Sequence, residues 1–182
     1  MSGVLPKSSP LTSADPQETF ATAVAAAAIH AQSGAITADD VSRLSGLART
    51  VDLRAMLNTP HLPADAGEFG EKLAKMLNRI PDGWGRWIGV QRGWYEIVTN
   101  ADASIAALFP DYEIHQVKEK YGTLRYYCSV EGDPRVEQII DHAEALSAVT
   151  CETCGQPGRL GSNAGWWMTT CDACEPDGFI VE

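Results

Sequence analysis

Two Cys-x-x-Cys pairs, Cys151/Cys154 and Cys171/Cys174, stand sixteen residues apart near the end of the chain. A Cys-x-x-Cys turn lets two thiolates converge on one ion while nearby amides stabilise the negative sulfurs. Two such knuckles supply the four soft ligands of a tetrahedral zinc, and the spacing falls within the range of zinc ribbons. Gly155 fits the tight backbone after the first pair. Between the pairs, glycines and small polar residues surround only Leu160, Trp166, Trp167 and Met168 as large apolar groups. A 34-residue segment of that composition cannot build a sufficient core, so a structural zinc would substitute for one. Four thiolates also suit an iron–sulfur cluster, and that alternative stays open. Redox chemistry fits poorly because there are two pairs and no β-α-β context. A deaminase site lacks its upstream ligand segment. Trp166 and Trp167 fall on the strand leading to the second knuckle, where one should pack inward and the other face outward.

Upstream the pattern is helical. An alanine-rich stretch from Pro16 to about Gln32, capped by Asp15, follows a tail bearing Ser and Pro. Thr37 and Asp40 predict a capped helix with the stripe Val41, Leu44, Leu47 and Val51. Asp65 and Glu68 resemble a second capping box, before Phe69, Leu73, Met76, Leu77 and Ile80. The other face of that helix carries Lys72, Lys75 and Arg79, read as a solvated stripe. Trp84, Trp87 and Trp94 follow among glycines and arginines, and their area favours anchoring in a core.

A helix from Trp94 to Leu108 stops before Pro110. The period then changes. Residues 112–130 read as an antiparallel hairpin turning at Lys120-Tyr121-Gly122, with Leu124, Tyr126 and Cys128 on one face and Arg125 and Tyr127 on the other. Cys128 is expected to be a buried free thiol. Asp133 and Pro134 open a last helix, with Val136, Ile139, Ile140, Ala143 and Leu146 as its buried stripe. The fold class is therefore α+β: a mostly helical N-terminal part (1–60), a helix–hairpin–helix core (61–148) and a C-terminal zinc ribbon (149–182).

Charge narrows the partners. The net charge is −10, and residues 149–182 hold five acidic groups against one basic. That disfavours nucleic acid around the cysteines. The apolar run Ala21–Ala31 is too short to span a bilayer and lacks the basic flank of a signal peptide. A cytoplasmic location is expected, where paired cysteines serve as metal ligands.

Gln116-Val-Lys-Glu-Lys-Tyr-Gly-Thr-Leu-Arg-Tyr-Tyr127, followed by a helix, then Cys-Glu-Thr-Cys-Gly-Gln-Pro-Gly and Gly-Trp-Trp-Met-Thr-Thr-Cys-Asp-Ala-Cys, resembles a group of bacteriophage and prophage proteins. Gly93-Trp94-Tyr95 before a helix is similar too, so the resemblance spans residues 93–176. It implies a phage-associated origin, hence the host-cell cytoplasm, and the same four cysteine ligands. It brings no activity with it.

These features point to a zinc-binding, non-enzymatic accessory or regulatory protein that contacts a protein partner. The expected surface comprises Lys118, Lys120, Tyr121, Arg125, Trp166 and Trp167. A nucleic-acid-binding ribbon is the alternative, resting on the hairpin cations and rings, and a virion structural component is another. Catalysis is not expected. His30, His61, His115 and His142 are scattered, and only His115 with Glu113 and Glu119 on one hairpin face forms a cluster.

Overall fold

The computed structural model describes residues 36–182 together with Ala23, Val24 and Ala27, which are helical. The remainder of the helix expected over 16–32, its Asp15 cap, the tail before it and His30 lie outside the described residues. The fold is α+β, and the chain divides into two compact units, Met1–Met56 and Leu57–Glu182. Residues 149–182, expected as a separate part, thus belong to the same unit as the hairpin and its helices.

In the first unit, α1 (Ala38–Ala48) starts at Thr37 with the expected capping box: Thr37 and Asp40 each bond the other's backbone N–H. The stripe Val41, Leu44 and Leu47 runs along this helix, yet none of its residues is buried. Val51 lies past the helix end. A short α2 (Leu53–Asn58) straddles the boundary between the units.

Further along the second unit, a single 3-10 turn, Gly67–Phe69, feeds α3 (Gly70–Asn78). The expected capping box does not form, because both carboxylates have partners elsewhere in the sequence. Asp65 accepts the Tyr95 hydroxyl at 2.9 Å, and Glu68 takes Arg92 at 2.9 Å. Leu73, Met76, Leu77 and Ile80 are buried as their spacing requires. Arg79 departs from the solvated stripe. Its guanidinium lies 4.8 Å above the Tyr112 ring and pairs with the buried Asp102 at 3.1 Å. The Tyr112 hydroxyl completes this cluster, donating to Asp102 at 2.5 Å and lying 2.7 Å from the Tyr126 hydroxyl. Burial pushes both phenols well above the ordinary tyrosine range.

The three tryptophans divide. Trp94 is fully buried, but Trp84 and Trp87 are 56% and 45% exposed. Their loop is tied down by its backbone, with Gly83 N–H on Asn58 and Arg86 N–H on Leu57. Exposed indoles therefore sit on a fixed segment rather than anchoring it to the core.

Helix α4 (Tyr95–Leu108) precedes the hairpin β1 (Ile114–Lys120) and β2 (Thr123–Cys128), paired from Ile114↔Cys128 to Lys120↔Thr123. Tyr121 and Gly122, both with positive φ, form its two-residue turn. Leu124, Tyr126 and Cys128 face the core, and Cys128 is a buried free thiol. A register shift between Ile114 and Gln116 makes His115 a bulge. Helix α5 (Pro134–Ser147), capped by Asp133, packs on α4 and β2. Its buried residues are Val136, Ala143 and Ser147. Leu146, expected in the stripe, is 39% exposed, and Ser147 takes the inner position, where its Oγ accepts the Leu124 N–H at 2.8 Å. The chain ends in an antiparallel sheet of order β4-β3-β5, built from β3 (Arg159–Asn163), β4 (Trp166–Thr170) and β5 (Ile180–Val181).

Candidate metal centre

Two backbone turns bring the four sulfurs together. In the first, Gly155 N–H returns to the Cys151 carbonyl at 2.9 Å, with Gly155 at φ 78°, and Cys151 N–H reaches the Gln156 carbonyl at 2.7 Å. In the second, Cys174 N–H returns to the Cys171 carbonyl at 3.0 Å. The sulfurs of Cys151, Cys154, Cys171 and Cys174 all lie within 4.8 Å of one another, and those of Cys154 and Cys171 are 3.6 Å apart. A tetrahedron of thiolates about 2.3 Å from a zinc has edges of about 3.8 Å. The four cysteines are thus positioned to coordinate one metal ion.

The electrostatics of the cage favour a cation. Burial opposes ionisation of Cys151, but the amides of Cys154, Cys171 and Thr153 point at its sulfur, and together these bring the thiol down to about 6. Hydrogen bonding to Cys154 and Cys171 pushes Cys174 up to about 12. Cys151 therefore ionises more readily than Cys154 or Cys174, both of which are pushed up, and a divalent ion would displace the protons those two hold. With four sulfurs the ligand set is closed, leaving no position for water or substrate.

Packing fixes the cage against the rest of the unit. Gly93 N–H donates to the Glu152 carbonyl at 2.8 Å, and a Cβ on Gly93 would meet the Cys151 carbonyl and lie 2.6 Å from the Gly155 nitrogen. The Trp94 indole N–H donates to the Thr150 carbonyl at 2.8 Å. The Thr169 hydroxyl donates to the Gly122 carbonyl at 2.7 Å, joining the sheet to the hairpin turn. Glu152, buried between the ligands, has its carboxyl pushed up to about 7 by desolvation and by Glu119 and Cys151.

No family model, curated protein or solved structure matches this chain.

The expected contact residues fall into two groups. Lys118, Lys120 and Arg125 share the outer face of the hairpin, with Tyr121 at its turn, 64% exposed. Arg125 is paired with Glu144 at 3.4 Å. Trp166 and Trp167 lie on β4 and are 77% and 36% exposed. Neither tryptophan packs into a core, contrary to expectation, because buried Thr169 and Thr170 occupy the inner end of that strand. The expected cluster of His115 with Glu113 and Glu119 on one face does not form. The bulge resets the alternation, so Glu119 pairs across with inward-facing Leu124 and accepts the Gly122 N–H at 2.5 Å, while His115 stacks on Trp84. His142 is exposed on α5, as its polar position implied.

Two features escaped sequence reasoning. Gly93, noted only as part of a motif, is the seat of the first knuckle. A groove of about 910 Å³ also runs between α4 and α5, floored by Ile97, Ala101, Ile139 and Ala143, and reaches Cys154 and Gly155. Its rim arginines are engaged, Arg92 by Glu68 and Arg135 by Asp133. The alanines in both helices were a visible signal, but facing helices are needed to turn them into a groove.

Proposed function

We propose that this chain is a zinc-binding, non-enzymatic interaction protein, an accessory or regulatory factor of phage origin. Its metal stiffens a small sheet that presents aromatic and aliphatic side chains to a protein partner. The observation that carries the reading is the exposure of Trp166, 77% solvent-accessible on a strand that runs directly into ligand Cys171. Ile180 and Val181, 70% and 50% exposed, lie on the opposite edge of the same sheet, with Ser162 of the central strand pairing to both Trp167 and Ile180. A large ring held in water on a rigid strand fits the anchor role that tryptophan plays in interfaces. A single ion is favoured over an iron–sulfur cluster because the four sulfurs, all within 4.8 Å of one another, surround one tetrahedral position, and zinc is the ion that closed four-cysteine structural sites hold. The closed ligand set supports a structural role for that ion.

Native mass measurement with and without chelator tests the metal, with one zinc per chain expected. Affinity capture from phage-carrying host lysate tests the contact, comparing the natural chain with Trp166→Ala and Ile180→Ser. A partner lost with either substitution supports the reading. Equal capture by all three, or capture of nothing, sinks it.

A further inference from the structure

The bulge at His115 changes what the hairpin offers to solvent. Ile114 and Val117 both face the core, three residues apart, so His115 and Gln116 both lie on the outer side with Tyr127. Trp84 stacks on His115 with ring centroids 4.8 Å apart and planes 22° from parallel. Further along β1, the Lys118 ammonium lies 5.9 Å from the Tyr127 ring centroid and that of Lys120 lies 5.4 Å from Tyr121. Among the described residues neither lysine has a carboxylate within 4 Å. The strip from His115 to Lys120 is roughly 16 Å long at the usual rise of a strand.

We propose that this outer hairpin face binds a short single-stranded nucleic acid, taking about three bases on Trp84, Tyr127 and Tyr121 while the two lysines meet the phosphates. Charge complementarity selects this occupant. In a chain of net charge −10, two unpaired ammonium groups lie along a line of rings, and the one arginine beside them is already held by Glu144. Rings at both ends of the strip with two cations between them suit bases stacked on either side of a pair of phosphates. An acidic peptide would use the lysines but leave the rings without planar partners. The backbone of the strip is fixed, since Gly89 N–H donates to the Val117 carbonyl at 2.9 Å and Glu119 N–H to the Gly89 carbonyl at 2.8 Å. Little ordering would be needed on binding. None of these residues carries the protein-contact reading, so the two stand or fall apart.

The test is fluorescence anisotropy with labelled oligo-dT and oligo-U of about eight nucleotides at about 50 mM salt, where micromolar binding is expected. With two or three phosphate contacts, affinity should fall roughly 10-fold between about 50 and 200 mM salt. Lys118→Glu combined with Lys120→Glu should weaken binding at least roughly 10-fold by removing those contacts. Trp84→Ala should weaken it by a comparable factor, since one stacked base commonly contributes about that much. Tyr121→Asn keeps a residue that tolerates positive φ and removes one ring, so it reports stacking should Trp84→Ala perturb the loop. Circular dichroism and metal content establish that each variant is folded, and Trp166→Ala should bind as the natural chain does. No binding at low salt would overturn the proposal. So would equal affinity for an abasic strand, full displacement by an oligoglutamate peptide, or folded variants that bind unchanged.

Discussion

Between residues 66 and 143 the interior is made of large apolar side chains, with Trp94, Leu73, Met76, Ile105, Ile114 and Leu124 fully buried. Between 149 and 182 the buried positions are Cys151, Glu152, Gly161, Thr169, Thr170 and Cys171, and Leu160, Met168 and Phe179 are only half-buried. The first region removes enough hydrocarbon from water to hold its own shape. The second does not. It relies on four sulfurs and on backbone hydrogen bonds at its seam with Gly93, Trp94 and Gly122. One compact unit thus contains two modes of stabilisation, and their difference teaches where each should fail.

Metal removal should separate them most sharply. Zinc binding in small four-ligand modules contributes about 10–16 kcal/mol apparent. Chelation, or Cys171→Ser, should therefore abolish amide protection in β3, β4 and β5 while the hairpin and α4 remain protected, as read by hydrogen exchange. Protection retained throughout the tail would break the contrast. Trp94→Ala should do the opposite and destabilise the whole unit by about 3–5 kcal/mol in denaturant unfolding, because it empties the core and removes the donor to Thr150. Gly93→Ala acts on the seam. A methyl there collides with backbone of the knuckle, so a cost of about 1–3 kcal/mol is expected, felt as faster metal loss to a chelator with the core spectrum unchanged. Ser147→Ala leaves the Leu124 N–H buried without its acceptor and should cost about 1–3 kcal/mol, lowering the urea midpoint with little change in metal affinity.

Alkaline pH gives the smallest and broadest effect. Desolvation pushes the Tyr95 phenol up to about 12, helped by its bond to Asp65, and Tyr112 and Tyr126 are raised as well. The folded state holds these protons more tightly than the unfolded chain, whose phenols ionise near 10. Their contribution is fully present below about pH 10 and is lost as pH rises through the folded-state values. Absorbance titration should show these three phenols ionising together with unfolding above pH 10. Early ionisation of all three in the folded protein would contradict the burial of these rings.

Much of this was legible in local pattern. The Thr37 and Asp133 caps, the Tyr121-Gly122 turn, the inward row Leu124, Tyr126 and Cys128, and the four sulfur ligands all follow from spacing within one element or one loop. What was misread depends on distant partners. Asp65 and Glu68 look like a cap until Tyr95 and Arg92 arrive to claim them. Arg79 belongs to a polar stripe until Asp102 and Tyr112 meet it. The bulge that turns Glu119 inward and His115 outward cannot be seen in a chain whose alternation is already loose.

The amino-acid sequence by itself determined the helices, the hairpin and the cluster of sulfurs, because those rest on periodicities and turns spanning a few residues. Only the tertiary structure decided that the cysteine segment sits against Gly93 and the hairpin turn, that Trp94 is buried while Trp84 and Trp166 stay in water, and that the lysines of β1 lie among rings. Burial and pairing of that kind depend on which distant surfaces meet, and no short-range pattern encodes the meeting.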